Sequence, residues 1–334
     1  MLTLAEILAA RRRIAGVAAR TPLAPSPFLT SRVGSVVLLK LEIAQPIGAF
    51  KLRGAANAVL GLPDHTAGVT CCSTGNHGRG VAFAARARRL RAVVCMSSLV
   101  PRAKVEGIRA LGAEVRIVGA SQDEAHAESR RIAREEGLVE ISPFDDPLVI
   151  AGQGTIGLEL MEDRPDLATV LVPLSGGGLA AGVALAVKTI SPRTKVIGVS
   201  MDRGAAMHAS IRAGHPVEVE EVASLADSLG GGVGLENRLS FPMCRDLLDD
   251  VVLVAEAEIY TAMQALYFED RLVAEGASVV GIAALLAGRL PDIPGPVATI
   301  VTGRNVDMTA FTNIIAGRDV RLGDLNLQGH AYAA

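Results

Sequence analysis

Lysine is scarce in this chain: only Lys40, Lys51, Lys104, Lys188 and Lys195 stand among 33 basic residues, so chemistry that needs a neutral amine has few candidates. Lys51 is the most informative of them. It lies in GAFKLRGA, Gly48 to Ala55, between a turn of small residues and a predicted helix start, with Phe50 as its large apolar neighbour. A lysine packed against apolar surface loses hydration, which disfavours the ammonium and favours the amine that a Schiff base requires. Taken alone, the pattern also describes an exposed lysine on a helix.

Three further segments could carry chemistry. STGNHGRG, Ser73 to Gly80, follows the apolar run GVTCCS and brings two hydroxyls, the Asn76 amide and the backbone N–H groups of a helix start to one turn. Such a turn binds an anion or a phenolate, or is simply a capped turn in which His77 holds the backbone. SGGGLAAG, Ser175 to Gly182, again follows a strand and opens a helix, offering unpaired N–H groups and a helix dipole to a phosphate. Gly176, Gly178 and Ala181 also satisfy the dinucleotide pattern G-x-G-x-x-A, with Asp202 placed to bind a ribose, so a nicotinamide oxidoreductase is the rival reading. VTGRNVD, Val301 to Asp307, ends the strand-like PVATIVT; Thr302 there can meet a ring nitrogen or cap the next helix.

The elements that must position these groups alternate. Short β-branched runs at 36–43, 68–73, 91–96, 113–119, 168–174 and 195–200 are separated by Ala-, Arg- and Glu-rich segments with apolar residues three and four apart, which predicts βα units and mostly parallel sheets. RTPLAPSPFL is proline-spaced and reads as extended. A soft division falls within Asp145 to Leu160, and the chain from Arg318 onward loses periodicity and is predicted to be peripheral. The uncharged stretch from Leu167 to Val187 is about the length of a membrane span, but Pro173 and three consecutive glycines favour a strand, a turn and a helix.

Composition narrows the function classes. With 334 residues, 50% apolar residues and a formal net charge of -2, the chain can bury one large or two ordinary cores and has no basic field for nucleic acid or an anionic membrane. Cys71, Cys72, Cys95 and Cys244 form neither a CxxC pair nor a zinc spacing, and the N-terminus lacks a signal-peptide pattern, so a reducing, cytoplasmic setting is expected.

In this order and spacing, GAFKLRGA, STGNH, GGGL and TGRN resemble the fold-type II pyridoxal-phosphate enzymes, in particular the threonine and serine dehydratase family with its serine racemase relatives. ADSLGGG at Ala226–Gly232, PMCRDLLDD and AEGASVVGIAALL are most similar to the hydroxyectoine utilization dehydratase branch. The resemblance implies an α/β fold of two domains, each with a mostly parallel, helix-flanked sheet, as in the tryptophan synthase β chain. Residues 1–50 and 151–320 would form the large cofactor-binding domain, 51–150 the small substrate-side domain, and 321–334 a peripheral tail. It implies pyridoxal 5'-phosphate as cofactor, no metal, a small amino-acid substrate and a homodimer. Lys51 would be the Schiff-base lysine; Phe50, Asn76, Gly176, Gly177, Gly178, Leu179, Glu275 and Thr302 would complete the cofactor site. Ser73, Thr74, Gly75 and His77 would cradle the substrate carboxylate, with Thr74 also at the second acid/base position. The implied reaction is loss of water from a 3-hydroxy amino acid or one derived from hydroxyectoine, followed by deamination; ordinary threonine or serine deamination is the nearest alternative. A binding protein that kept the fold without catalysis is a third possibility, and neither it nor an oxidoreductase needs the lysine.

The chain also departs from its relatives. Ala49 replaces a common Ser, Arg79 a Gln, Ser175 the first glycine of a four-glycine loop and Arg304 a Gly. Thr74 stands where racemases carry Ser, and β-branching stiffens it, which argues against racemisation. Ser200 stands at a metal-ligand Glu position. The glycines of ADSLGGG leave room for a side chain longer than threonine's. Since the chain ends soon after the catalytic segments, feedback through a C-terminal regulatory module is not expected.

Overall fold

A computed structural model describes residues 2–73, 75–98, 100, 102–290, 293 and 295–333. The chain runs α1 (Leu4–Arg13), β1 (Leu23–Pro25), α2 (Pro27–Val33), β2 (Val37–Leu41), α3 (Lys51–Leu60), β3 (Gly68–Cys72), α4 (Asn76–Arg88), β4 (Arg91–Met96), α5 (Arg102–Arg109), β5 (Glu114–Ile117), α6 (Gln122–Glu136) and β6 (Val139–Glu140). It continues through α7 (Pro147–Asp163), β7 (Thr169–Pro173), α8 (Gly178–Ile190), β8 (Lys195–Met201), α9 (Ala206–Ala213), α10 (Ser240–Leu247), β9 (Asp250–Val254), α11 (Glu256–Asp270), α12 (Val280–Leu286), β10 (Val297–Val301), α13 (Met308–Ile315), β11 (Val320–Leu322) and β12 (Leu325–Leu327).

The strands form two open sheets. One has the order β1-β2-β10-β7-β8-β9, parallel except for the antiparallel edge strand β1; the other, β5-β4-β3-β6, is wholly parallel. Alternate residues of the larger sheet enter different cores. Leu39, Leu171 and Ile197 pack with α11 and α12, while their neighbours Leu38, Val170 and Val196 pack with α7 and α8. Both faces are covered, which is why these strands read as continuous apolar runs. The segments that follow the carboxyl ends of β2, β3, β7 and β10 line one cleft, where ligands of parallel α/β sheets bind.

Helix contacts rely on missing side chains. A Cβ on Gly152 of α7 would lie 2.5 Å from the Arg53 carbonyl oxygen of α3, and one on Gly182 of α8 would lie 2.3 Å from that of Ile150 in α7. The backbones of α3, α7 and α8 therefore touch, so α3, which starts at Lys51, has little freedom to shift.

Three expectations are corrected. The strand predicted over 36–43 ends at Leu41, because Glu42 to Ala44 form a 3-10 turn that turns Glu42 into a buried ion cluster. There Arg53 Nε donates to Glu42 Oε2 at 2.8 Å, Arg53 Nη1 to Glu159 Oε1 at 2.6 Å and Lys40 Nζ to Glu159 Oε2 at 2.6 Å. RTPLAPSPFL is extended only to Pro25: Pro27 opens α2 at a position where its absent N–H costs nothing, and Ser26 accepts from Leu29 N. The tail after Arg318 is not peripheral throughout. It folds as the β11–β12 hairpin, with Val320 and Leu327 in the core and Tyr260 donating to the Arg318 carbonyl. Among the described residues no helix is long and apolar enough to cross a membrane; the stretch 167–187 divides into β7, a glycine turn and α8.

Candidate active site

The turn that carries Lys51 is stitched to the end of β10. Ala49 bridges antiparallel to Gly303, Phe50 N donates to Thr302 O at 2.9 Å and Arg304 N to Gly48 O at 2.9 Å. Lys51 is the first residue of α3, and its Nζ donates to Pro143 O at 2.7 Å and lies 5.4 Å from the Phe50 ring centre. Among the described residues its hydrogen-bond partner is thus a carbonyl rather than a carboxylate. Burial without a balancing anion pulls the ammonium down to about 8 from an ordinary 10.5.

At the end of β3, Gly75 N donates to Ser73 Oγ and α4 begins at Asn76. The first N–H groups of a helix have no partner within it, so this turn directs backbone donors into the cleft. Asn76 Nδ2 donates to Glu275 Oε1 at 2.8 Å, and Asn76 Oδ1 accepts from Asn305 Nδ2 at 2.6 Å. His77 Nε2 is 2.9 Å from Ile141 O, which can only accept, so that nitrogen carries the hydrogen and the buried, unpaired Nδ1 is bare. Burial first, and the Lys51 charge second, push the ring down to about 3, so it stays neutral. The imidazole holds the turn, and an anion here would meet backbone N–H groups.

At the end of β7, Gly177 adopts φ +88° as the residue preceding α8. A Cβ there would fall 2.7 Å from Met207 and 2.9 Å from Cys244 Sγ; one on Gly178 would fall 2.8 Å from the Phe144 backbone. Ser240 Oγ ties the loop from behind by donating to Gly176 O at 2.6 Å. The loop must therefore be glycine on its packed side, and the N-terminus of α8, with its unpaired N–H groups and dipole, forms an anion cradle.

Thr302, 4% exposed, shares a 2.9 Å hydrogen bond with Ser278 Oγ, which also donates to Gly303 O and accepts from Gly303 N. Beside it Glu275 is 6% exposed, and burial with Asp227 nearby raises its carboxyl to about 7.

These groups meet in one cleft of about 840 Å³. Phe50, Lys51, Ser73, Gly75, Asn76, His77, Gly176, Gly177, Gly178, Leu179, Glu275 and Thr302 all line it; Thr74 lies outside the described residues. Arg79 and Ser175 line it too, whereas Arg304 is exposed, with its side chain lying over Gly48. Asp202 is exposed, and Ser200 is buried in β8. Sequence reasoning missed Pro143, Phe144, Ser278 and Asn305. The last two stand inside quoted segments, AEGAS and TGRN, but SPFDD carries no motif that would expose the first two. An amine, a glycine anion cradle and a neutral hydroxyl facing one cavity can together hold a phosphorylated aromatic aldehyde.

Comparison with known proteins gives the same grouping. Residues 14–303 match the family described as pyridoxal-phosphate dependent enzyme. A Sinorhizobium fredii protein provisionally named a threonine dehydratase is 56% identical over 95% of this chain and 96% of its own length. The L-threonine ammonia-lyase of Thermotoga maritima is 42% identical over 94% of this chain and 78% of its own. Among solved structures, maize serine racemase superposes with a TM-score of 0.89 at 33% identity, covering 94% of this chain and 97% of that one. A processed threonine deaminase isoform of Solanum lycopersicum gives 0.88 at 36%, covering 94% and 91%. The chain belongs to the pyridoxal-phosphate-dependent enzymes, within the threonine dehydratase family, and the nicotinamide reading of GGGLAA is set aside.

Proposed function

We propose that this pyridoxal-phosphate-dependent lyase removes water from a 3-hydroxy amino acid, with L-threonine and L-serine as the first substrates, and releases a 2-oxo acid and ammonia. The observation that carries the reading is Lys51: a half-buried amine whose partner among the described residues is a carbonyl, in the same cleft as a glycine cradle and a neutral threonine hydroxyl. The names of the relatives favour it as well. The homodimer implied by the resemblance and the cytoplasmic setting expected from the cysteines and the N-terminus belong to the same proposal.

The residues fit the cofactor. The loop Gly176–Leu179 would hold its phosphate, because the α8 N-terminus faces the cleft while side chains close the loop from behind. Asn76 would donate to the phenolic oxygen, and Thr302, held by Ser278, would meet the ring nitrogen. When bound, pyridoxal phosphate supplies an aldehyde for the amine and a ring that accepts electron density from the substrate's α-carbon. Lys51 Nζ takes the α-proton, which a depressed affinity for its own proton makes possible near neutral pH. Ser73 and the first N–H groups of α4 would hold the substrate carboxylate and so fix which face of the α-carbon Lys51 meets. Thr302 offers a neutral hydroxyl instead of a carboxylate, so it stabilises a protonated ring nitrogen far less than a carboxylate would, and this favours departure of a β-hydroxyl over long-lived carbanion chemistry. The C–O bond to the β-carbon breaks as the α-proton leaves, and the hydroxide departs as water, so that the α-proton and the β-hydroxyl are lost together; the released enamine tautomerises to an imine, which water hydrolyses to the oxo acid and ammonia.

A second reading, a larger substrate derived from hydroxyectoine, is favoured by the wall Gly230 to Gly232, which lines the cleft. A Cβ on Gly231 would meet nothing within 4 Å, and one on Gly232 only a backbone nitrogen at 3.8 Å. Parallel assays of ammonia and 2-oxo acid from L-threonine, L-serine and longer 3-hydroxy amino acids test both readings. Equal yields from threonine or serine support the first, and a higher kcat/KM for a longer substrate supports the second. A loaded enzyme that forms no oxo acid from any of them sinks both.

A further inference from the structure

Asn305 stands at the end of β10, lines the cleft, and has no role in the site described so far. Its Nδ2 donates to Ile47 O at 3.0 Å and to Asn76 Oδ1 at 2.6 Å. A backbone carbonyl can only accept, so the end of Asn305 that faces Ile47 must be its amide nitrogen. Both hydrogens of that nitrogen are then spent, one on Ile47 and one on Asn76. The end of Asn76 facing Asn305 must therefore be its oxygen, and its own amide nitrogen must face Glu275, to which it donates at 2.8 Å. One hydrogen on Asn76 Nδ2 is left over. The order of the chain, Ile47 O, Asn305, Asn76, Glu275, starts from an atom that cannot flip, and Ile47 belongs to the turn that leads into Lys51.

We infer that Asn305 is the positioning residue of this site: it reads the fixed Ile47 carbonyl and forces Asn76 to present a donor, rather than an acceptor, to the cleft. Its ligand-side consequence is recognition of an anionic or phenolic oxygen by Asn76. The inference rests on the proposed cofactor geometry, in which that oxygen belongs to the pyridoxal ring. Without Asn305 the Asn76 amide is oriented by Glu275 alone, to which its Nδ2 donates. With an aspartate at 305, a group that accepts only, a second acceptor competes with Glu275 for that nitrogen.

The test uses full-length protein loaded with pyridoxal phosphate and reads the near-visible absorption band and cofactor retention on dialysis. Asn305→Ala is expected to move the band and to weaken retention by about tenfold, the scale of one lost hydrogen bond to a charged or strongly polar group. Asn305→Asp is expected to do more. In an Asn76→Ala background, Asn305→Ala should add almost nothing, because the two act through one atom; a change that merely loosened the turn would still add its full effect there. Wild-type band and retention in both Asn305 variants, or an undiminished Asn305→Ala effect in the Asn76→Ala background, overturns the inference. Failure of the wild type to take up the cofactor at all would instead overturn the reading on which it rests.

Discussion

Lys40 and Lys51 are both drawn into the protein, and they meet opposite surroundings. Lys40, on β2, is fully buried, with its ammonium on Glu159 at 2.6 Å and on the Thr21 carbonyl at 2.7 Å. Lys51 has one carbonyl at 2.7 Å and an aromatic ring. Both are withdrawn from bulk water, Lys40 fully and Lys51 partly, but the carboxylate belongs to Lys40. Lys40 is held in an ion pair, while Lys51, hydrogen-bonded to a carbonyl, gives up its proton near pH 8 and can act as a base or nucleophile. The two environments lie on one helix: Arg53, two residues after Lys51 and so about 200° further round α3, bridges Glu42 and Glu159. One face of α3 neutralises every charge it buries, and the other leaves its amine alone. The ion cluster and the glycine contacts with α7 hold the helix so that the solitary lysine stays in place.

The largest effect should come from removing the solitary amine. Lys51→Ala is expected to lower kcat for any accepted hydroxy amino acid by at least about a thousandfold, the scale on which a covalent and acid–base group acts. Its urea midpoint should stay near the wild-type value, since no ion pair is lost. Lys40→Met should show the reverse ranking, a stability loss with activity retained in the folded fraction; equal activity losses in the two variants would dissolve the contrast.

Next comes Arg53→Met, which takes the cation from buried Glu42 and leaves Glu159 with Lys40 alone. Burial tends to lower the Arg53 guanidinium's proton affinity, but Glu42 and Glu159 overcome this and hold it raised, so its removal should cost about 3–5 kcal/mol in equilibrium unfolding. A loss under about 1 kcal/mol would mean that the cluster does not anchor α3.

The smallest effect is a displacement along the pH axis. Because burial lowers the Lys51 pKa to about 8, the neutral amine that captures an aldehyde is scarce below that pH and dominant above it. The rate of pyridoxal-phosphate uptake by cofactor-free protein should rise through pH 8 and then level off. Phe50→Glu would give Lys51 the carboxylate it lacks and should move that rise to higher pH; an unmoved profile would mean that the absent anion is not what tunes the lysine.

Legibility in the sequence followed the same division. The four motif segments could be read because each joins a strand end to a turn or helix start, where glycines and small polar residues mark the backbone geometry, and together they contained Lys51, Asn76, His77, the glycine cradle and Thr302. The ion cluster could not be read. Glu42 stood in what looked like a strand, and Arg53 and Glu159 are far apart in the chain, so nothing in local periodicity pairs them. Pro143 and Phe144 escaped for a related reason: they contribute a backbone oxygen and a packing surface, which no residue pattern announces. The tail hairpin was hidden because strands of three residues are too short to show alternation. Ser278 and Asn305 were in view, but their role as orienting partners depends on hydrogen-bond directions that only the fold fixes.

The most direct measurement is borohydride reduction of the protein with pyridoxal phosphate, followed by peptide mapping, on the wild type and on Lys51→Ala. A near-visible band in the wild type, a single reduced label on Lys51 and no label in the variant is the predicted result. A label on Lys40, Lys104, Lys188 or Lys195, or no band even with added cofactor, would contradict the assignment of the solitary lysine as the reactive one.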